Sequence, residues 1–154
     1  SGGYVIKGTA SGATILGVFN GCFYIDPTSK KPTYSNYYPG SINVTSAGSI
    51  SGSTNIDAYI YDDPYMLFEA QCDGTIAKTD IGKNTDTVLT AGSTVNGLSK
   101  NEIDDSTEAT TAGLQVKIIG ITKDPENDDA SSANANWYVM FNEHVKLGTG
   151  ITGT

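Results

Sequence analysis

Apolar residues in this chain fall in short runs cut by Gly, Pro, Asn and Asp, and almost none recur at the spacing of a helix face. Ile56 to Asp62 alternates. Ile56, Ala58 and Ile60 fall on one side of an extended strand and Asp57, Tyr59 and Tyr61 on the other. Asp63-Pro64 turns the chain, and Met66 to Cys72 alternates again with Met66, Phe68, Ala70 and Cys72 inward. Asp73-Gly74 then reads as a hairpin signal into Thr75-Ile76-Ala77. Leu114 to Thr122 and Trp137 to Val145 are the two strongest strands, and both are partly apolar on both faces, as central strands are.

The remaining segments are weaker in pattern. Ile15 to Ile25 is one long strand or two strands joined at Asn20-Gly21, a dipeptide suited to a type I′ turn. Asp26-Pro27 to Lys31-Pro32 is a loop, Tyr34 to Gly40 is an aromatic stretch closed by Pro-Gly, and Ile42 to Thr54 is rich in Ser and Gly. Ser99-Lys100-Asn101-Glu102 spells a capping box, which predicts a helical turn that Asp104-Asp105-Ser106 keeps short. The acidic Lys123 to Asn136 separates the last two strands. No internal repeat emerges. The expected fold is all-β, a sandwich or an open, distorted barrel of short antiparallel strands with one or two short helical turns. One β-rich domain is expected over residues 1–146, followed by a flexible Gly/Thr-rich tail over 147–154.

Composition narrows the function. The 154 residues hold nine lysines, no arginine, seventeen acidic side chains and one histidine, for a net charge of −8. Arginine is the usual bidentate ligand of phosphates and base edges. A chain without it and with an acidic balance is ill suited to nucleic acid or to an anionic membrane, so neither is expected as a partner. No apolar run reaches the roughly 20 residues that span a bilayer, and no secretory leader is visible. Cys22 and Cys72 lie in apolar, strand-like stretches; they could form one bridge, but two buried thiols are the favoured reading.

Candidate chemistry is sparse. Gly148-Thr149-Gly150-Ile151-Thr152-Gly153 matches a phosphate-cradling glycine pattern, but no helix can follow it to complete a nucleotide site. Asp124 to Asp129 supplies several carboxylates that calcium could use, yet it lacks the spacing, turn glycine and distal Glu of an EF-hand, so a solvated acidic loop is expected and no metal or other cofactor. His144 beside Glu143 could serve a Ser–His–Asp set, but no Ser sits in a nucleophile-elbow sequence, so no enzyme is expected. Asn43-Val44-Thr45 is a lone glycosylation sequon. The nine tyrosines favour a surface function, because amphipathic rings suit interfaces and sugar-stacking platforms. Tyr34, Tyr37, Tyr38 and Pro39 are the expected interface residues.

Several stretches taken in order add a likeness. Gly17-Val18-Phe19-Asn20-Gly21-Cys22, Tyr37-Tyr38-Pro39-Gly40, Ala58-Tyr59-Ile60-Tyr61-Asp62-Asp63-Pro64, Phe68 with Asp73-Gly74, and Phe141-Asn142-Glu143-His144 recur in small virion proteins of marine tailed bacteriophages. Over roughly Gly17 to His144 the chain resembles head decoration, or cement, proteins. The resemblance implies a β-rich, non-catalytic homotrimer, made in the bacterial host cytoplasm, that binds the major capsid protein on the outer surface of the expanded head. It also implies more sequence before Gly17, so that an N-terminal arm is shortened or missing here. The alternative is a carbohydrate-binding β-sandwich of a phage fibre or secreted adhesin, using the Tyr-rich loop.

Overall fold

A computed structural model of the chain describes residues 14–26, 29–39, 56–93, 95–127, 129–148 and 150–154. Their regular structure is nearly all β-strand: β1 (Val18–Ile25), β2 (Pro32–Ser35), β3 (Asp57–Tyr61), β4 (Phe68–Gln71), β5 (Asn84–Thr85), β6 (Thr87–Val88), β7 (Glu102–Ile103), β8 (Val116–Ile121) and β9 (Asn136–Phe141), with a 3₁₀ turn at Lys78–Asp80. The fold is all-β, as the pattern predicts. Its strands form antiparallel sheets ordered β2-β1-β3, β4-β9-β8-β5 and β6-β7, and none of them closes into a barrel. Among the described residues no helix is long and apolar enough to cross a membrane.

Contacts divide the chain into two compact units. The first takes Val18–Asp62 and Gly92–Ser99 and is built on the β2-β1-β3 sheet. β1 is one strand, not two. Asn20 is an extra residue between the Phe19↔Ile60 and Gly21↔Tyr59 pairs, so the Asn20-Gly21 dipeptide makes a bulge where a turn was possible. The β1–β2 connection is short, with Asp26 N–H donating to Lys31 O. Pro32 opens an edge strand, where a missing amide costs no ladder bond.

The second unit takes Asp63–Ala91 and Lys100–Thr154 with part of Ile6–Gly17. Its core gathers Cys72, Ile76, Ile103, Val116, Ile118, Ala130, Ala135, Trp137, Val139 and Phe141, with Phe68, Ala70 and Ile121 packed against it. β9 alternates cleanly: Trp137, Val139 and Phe141 are buried, while Tyr138 faces out. β8 does not alternate throughout. Ile119 faces outward as alternation requires, and a register shift between Ile118 and Gly120 then returns Ile121 to the side of Trp137. Its run of isoleucines therefore reflects a bulge as well as burial.

Two local expectations fail. The Ser99–Glu102 capping box forms no helix; Glu102–Ile103 instead pairs with Thr87–Val88, and Ile103 is completely buried. A cap contributes too little to hold a turn that has no apolar face to follow it. Asp73-Gly74 makes no hairpin either, because Asp105 takes the Thr75 amide through its Oδ2 at 2.9 Å and lies where a side chain on Gly74 would be. The end of the tail is not loose. Ile151 N–H donates to Asn142 Oδ1 (2.9 Å), Gly153 N–H to Thr110 O (3.0 Å) and Thr154 N–H to Gly82 O (3.0 Å).

Candidate functional site

The β2-β1-β3 sheet presents an aromatic face. Register places Val18 opposite Tyr61, Gly21 opposite Tyr59, Phe23 opposite both Tyr34 and Asp57, and Ile25 opposite Pro32. All of these fall on one face by the alternation of a strand. Val18, Ile25, Tyr34, Tyr59 and Tyr61 on it are between 39% and 56% exposed, far above what a core residue shows. The Tyr34 and Tyr59 rings lie 6.2 Å apart, tilted by 41°. Gly21 lies beneath them. Its φ of +125° suits glycine, and a Cβ there would come within 2.6 Å of the Tyr34 ring and 2.8 Å of Ser35 O. The Tyr34 hydroxyl reaches across to donate to Asn20 O.

A shallow groove of about 500 Å³ runs along β2, lined by Tyr24, Thr33, Tyr34, Ser35, Asn36 and Tyr37. Thr33 and Ser35 pair with Tyr24 and Cys22 on the sheet face opposite the aromatic one. The wall is braced by backbone: Ser35 Oγ donates to Tyr37 O at 2.7 Å, and the Cys22 thiol points at the same carbonyl at 3.5 Å. Asn36 is held by the 92–99 loop of the same unit, its Nδ2 donating to Asn96 O at 2.9 Å. Burial, followed by the charges of Cys22, Asp26 and Tyr37, pushes the Tyr24 hydroxyl up from its ordinary range, so it stays a proton donor.

Of the four interface residues read from the sequence, Tyr34 and Tyr37 meet in this groove, while Tyr38 and Pro39 do not line it. Tyr38 is 56% exposed and Pro39 half-buried. Gly40 and the Asn43 sequon lie outside the described residues. Sequence reading missed Val18, Phe23 and Ile25 as neighbours of the tyrosines. Their apolar character was visible, but their shared face depends on the bulge at Asn20 and on which strands pair.

The other candidates are engaged in structure. His144 is fully buried and stacks on Phe141 at 5.4 Å. Nε2 lies 2.9 Å from Leu16 O and Nδ1 accepts from Lys146 N–H at 3.1 Å, which defines the Nε2-protonated tautomer and leaves neither nitrogen open to a substrate. In the Lys123–Asn136 loop, Asp124 and Asp129 accept from the nearby amides of Glu126 and Ser131. The Ser131 hydroxyl, then its amide, hold the Asp129 carboxyl below its usual range. Asp128 lies outside the described residues. A carboxylate cluster that the sequence did not suggest forms elsewhere, from Asp73, Asp104 and Asp105, with oxygens within 4.8 Å of one another. Each of these carboxylates accepts from a local amide: Asp73 from Asp105, Asp104 from Ser106 and Asp105 from Thr75. The glycine motif of the tail accompanies no helix, and Thr149 within it is outside the described residues.

Both thiols are free and fully buried. Burial pushes Cys72 up to about 11 and raises Cys22 as well. No protein-family model, curated protein or solved structure matches the chain.

Proposed function

We propose that this chain is a head decoration protein of a tailed bacteriophage. It docks on the outer surface of the expanded shell and ties capsid subunits together, with three copies acting as one, as in the proteins it resembles. The observation that carries the reading is the aromatic face of the β2-β1-β3 sheet: Val18, Ile25, Tyr34, Tyr59 and Tyr61, all well exposed on one side of the sheet. Rings of this kind lose little entropy on burial and dominate protein interfaces. The acidic balance and the lack of arginine agree with a protein that grips the outside of a particle and not its genome. A ligand that binds the assembled lattice and not its separated subunits stabilises the lattice by mass action. A trimer spanning several subunits gains further through effective concentration.

The test is to add the purified chain to expanded heads that lack it. Saturable binding at a simple ratio to the major capsid protein, with a rise in the temperature or pressure at which heads fail, is the expected result. Tyr59→Asp should abolish the binding. Saturation without any gain in resistance would remove the cementing role. Absence of this chain from purified virions, measured by quantitative mass spectrometry, would remove the virion reading.

A further inference from the structure

The groove along β2 lacks charge although 17% of the chain is charged: the lining residues Tyr24, Thr33, Tyr34, Ser35, Asn36 and Tyr37 are all neutral. Its volume of about 500 Å³ falls within the range of small-ligand sites. Three phenol rings contribute flat apolar surface. Among the described residues no hydrogen bond engages the hydroxyls of Tyr24 and Tyr37, and Asn36 Oδ1 has none while its Nδ2 is fixed on Asn96 O. That amide packs on Gly97 (φ +71°), where a Cβ has no room, so the acceptor is set in place before any ligand arrives.

We propose that this groove binds a neutral saccharide. A pyranose offers an apolar C–H face to stack on a tyrosine ring and a rim of hydroxyls, each both donor and acceptor. Those hydroxyls match the Tyr24 and Tyr37 hydroxyls and the Asn36 carbonyl oxygen. An anionic sugar, a nucleotide or an acidic peptide would meet no cation in the lining and a chain of net charge −8. An open groove with a few polar contacts implies weak single-site affinity, which multiple copies on one particle would raise. Tyr24, Thr33 and Ser35 lie on the sheet face opposite Tyr59 and Tyr61. The Tyr34 ring, 6.2 Å from that of Tyr59, belongs to both surfaces, so Tyr24 and Tyr37 are the positions that separate this activity from shell docking.

Saturation-transfer NMR on the full chain tests it, with cellohexaose, mannohexaose and chitohexaose as neutral probes, an oligogalacturonate as the acidic probe and a proline-rich peptide as the competing class. At least one neutral probe should bind with a Kd of about 1 mM or tighter. Tyr24→Ala and Tyr37→Ala should each weaken that binding by roughly tenfold, while Tyr61→Ala, on the docking face and outside the groove lining, should leave it unchanged. The Tyr24→Phe/Tyr37→Phe double variant keeps the rings and the packing. It should still weaken binding severalfold through loss of the hydroxyls. Failure of every neutral probe at about 10 mM, equal binding by the double Phe variant, or tighter binding of the oligogalacturonate or the peptide overturns the proposal. Loss of particle binding in Tyr61→Asp with saccharide binding intact, or the reverse, shows which of the two surfaces is at fault.

Discussion

At the scale of single residues, Gly21 decides how the aromatic face is laid. Its positive φ and the Tyr34 ring above it leave no place for a methyl group. Gly21→Ala combines backbone strain with overpacking and should cost at least about 2 kcal/mol by urea denaturation. Tyr34→Ala relieves the clash with the ring but neither the close approach to Ser35 O nor the φ strain, so the double variant should still lose less than the sum of the two single ones. Glu108 supplies a pH test. Burial pushes its carboxyl up; a hydrogen bond from its own backbone opposes this, Asp80 and Asp105 add to it, and Lys83 opposes it. A carboxyl whose folded value lies above its unfolded one binds its proton more tightly when folded. Its ionisation therefore costs stability above the unfolded value, and the cost vanishes as the pH falls below it. Glu108→Gln should stabilise by at most about 0.5 kcal/mol near neutral pH, given partial solvent screening, with the difference from the parent closing near about pH 3. Destabilisation by Glu108→Gln at neutral pH would contradict the argument.

At the scale of elements, what could be read from the sequence was the local alternation. The β3 pattern is as expected: Ala58 and Ile60 are half-buried, and Asp57, Tyr59 and Tyr61 are exposed. In β4 it holds too, with Phe68 and Ala70 inward, and Cys72 just beyond the strand is buried. Partnership was not legible, because period two fixes which residues share a face of one strand and says nothing about which strand lies beside it. The bulges at Asn20 and near Ile119 were equally hidden, and each changes which apolar residues point outward. The groove was half legible. The crowding of tyrosines near Pro39 was plain, but Tyr24 enters only through the β1–β2 pairing and Asn36 only through a loop 60 positions away. The tail shows the same limit: Gly and Thr suggest flexibility, whereas long-range contacts hold it. Asn84, fully buried, donates to Thr111 O at 3.0 Å and to Ile151 O at 2.7 Å. Asn84→Ala leaves both carbonyls without that donor and should cost about 2 kcal/mol. Removing Ile151–Thr154 should lower stability in the same assay and speed amide exchange at Gly82 to Thr85. Unchanged exchange there would mean that the tail contacts contribute nothing.

At the scale of the whole molecule, burial is divided unequally between the two units. The core cluster draws entirely on the unit that carries β8 and β9. Among the described residues of the other unit, only Gly21 and Cys22 are buried, while its sheet turns an aromatic face to solvent. Apolar burial is the main favourable term in folding, so the β2-β1-β3 sheet should open at lower free energy than the β4-β9-β8-β5 sheet. Native-state hydrogen exchange should show Val116–Ile121 and Asn136–Phe141 exchanging near the global limit, with Val18–Ile25 and Asp57–Tyr61 exchanging faster. Thiol labelling reports the same order: neither cysteine should react rapidly in the native state, and Cys22 should become accessible before Cys72 as urea is added. If the aromatic face is the docking surface, binding to a head excludes water from the less protected sheet. Its amides should then slow strongly on the particle while those of β8 and β9 change little. Equal protection of both sheets in the free chain would contradict this division of stability. Slowing confined to β8 and β9 on the particle would move the docking surface to the other unit.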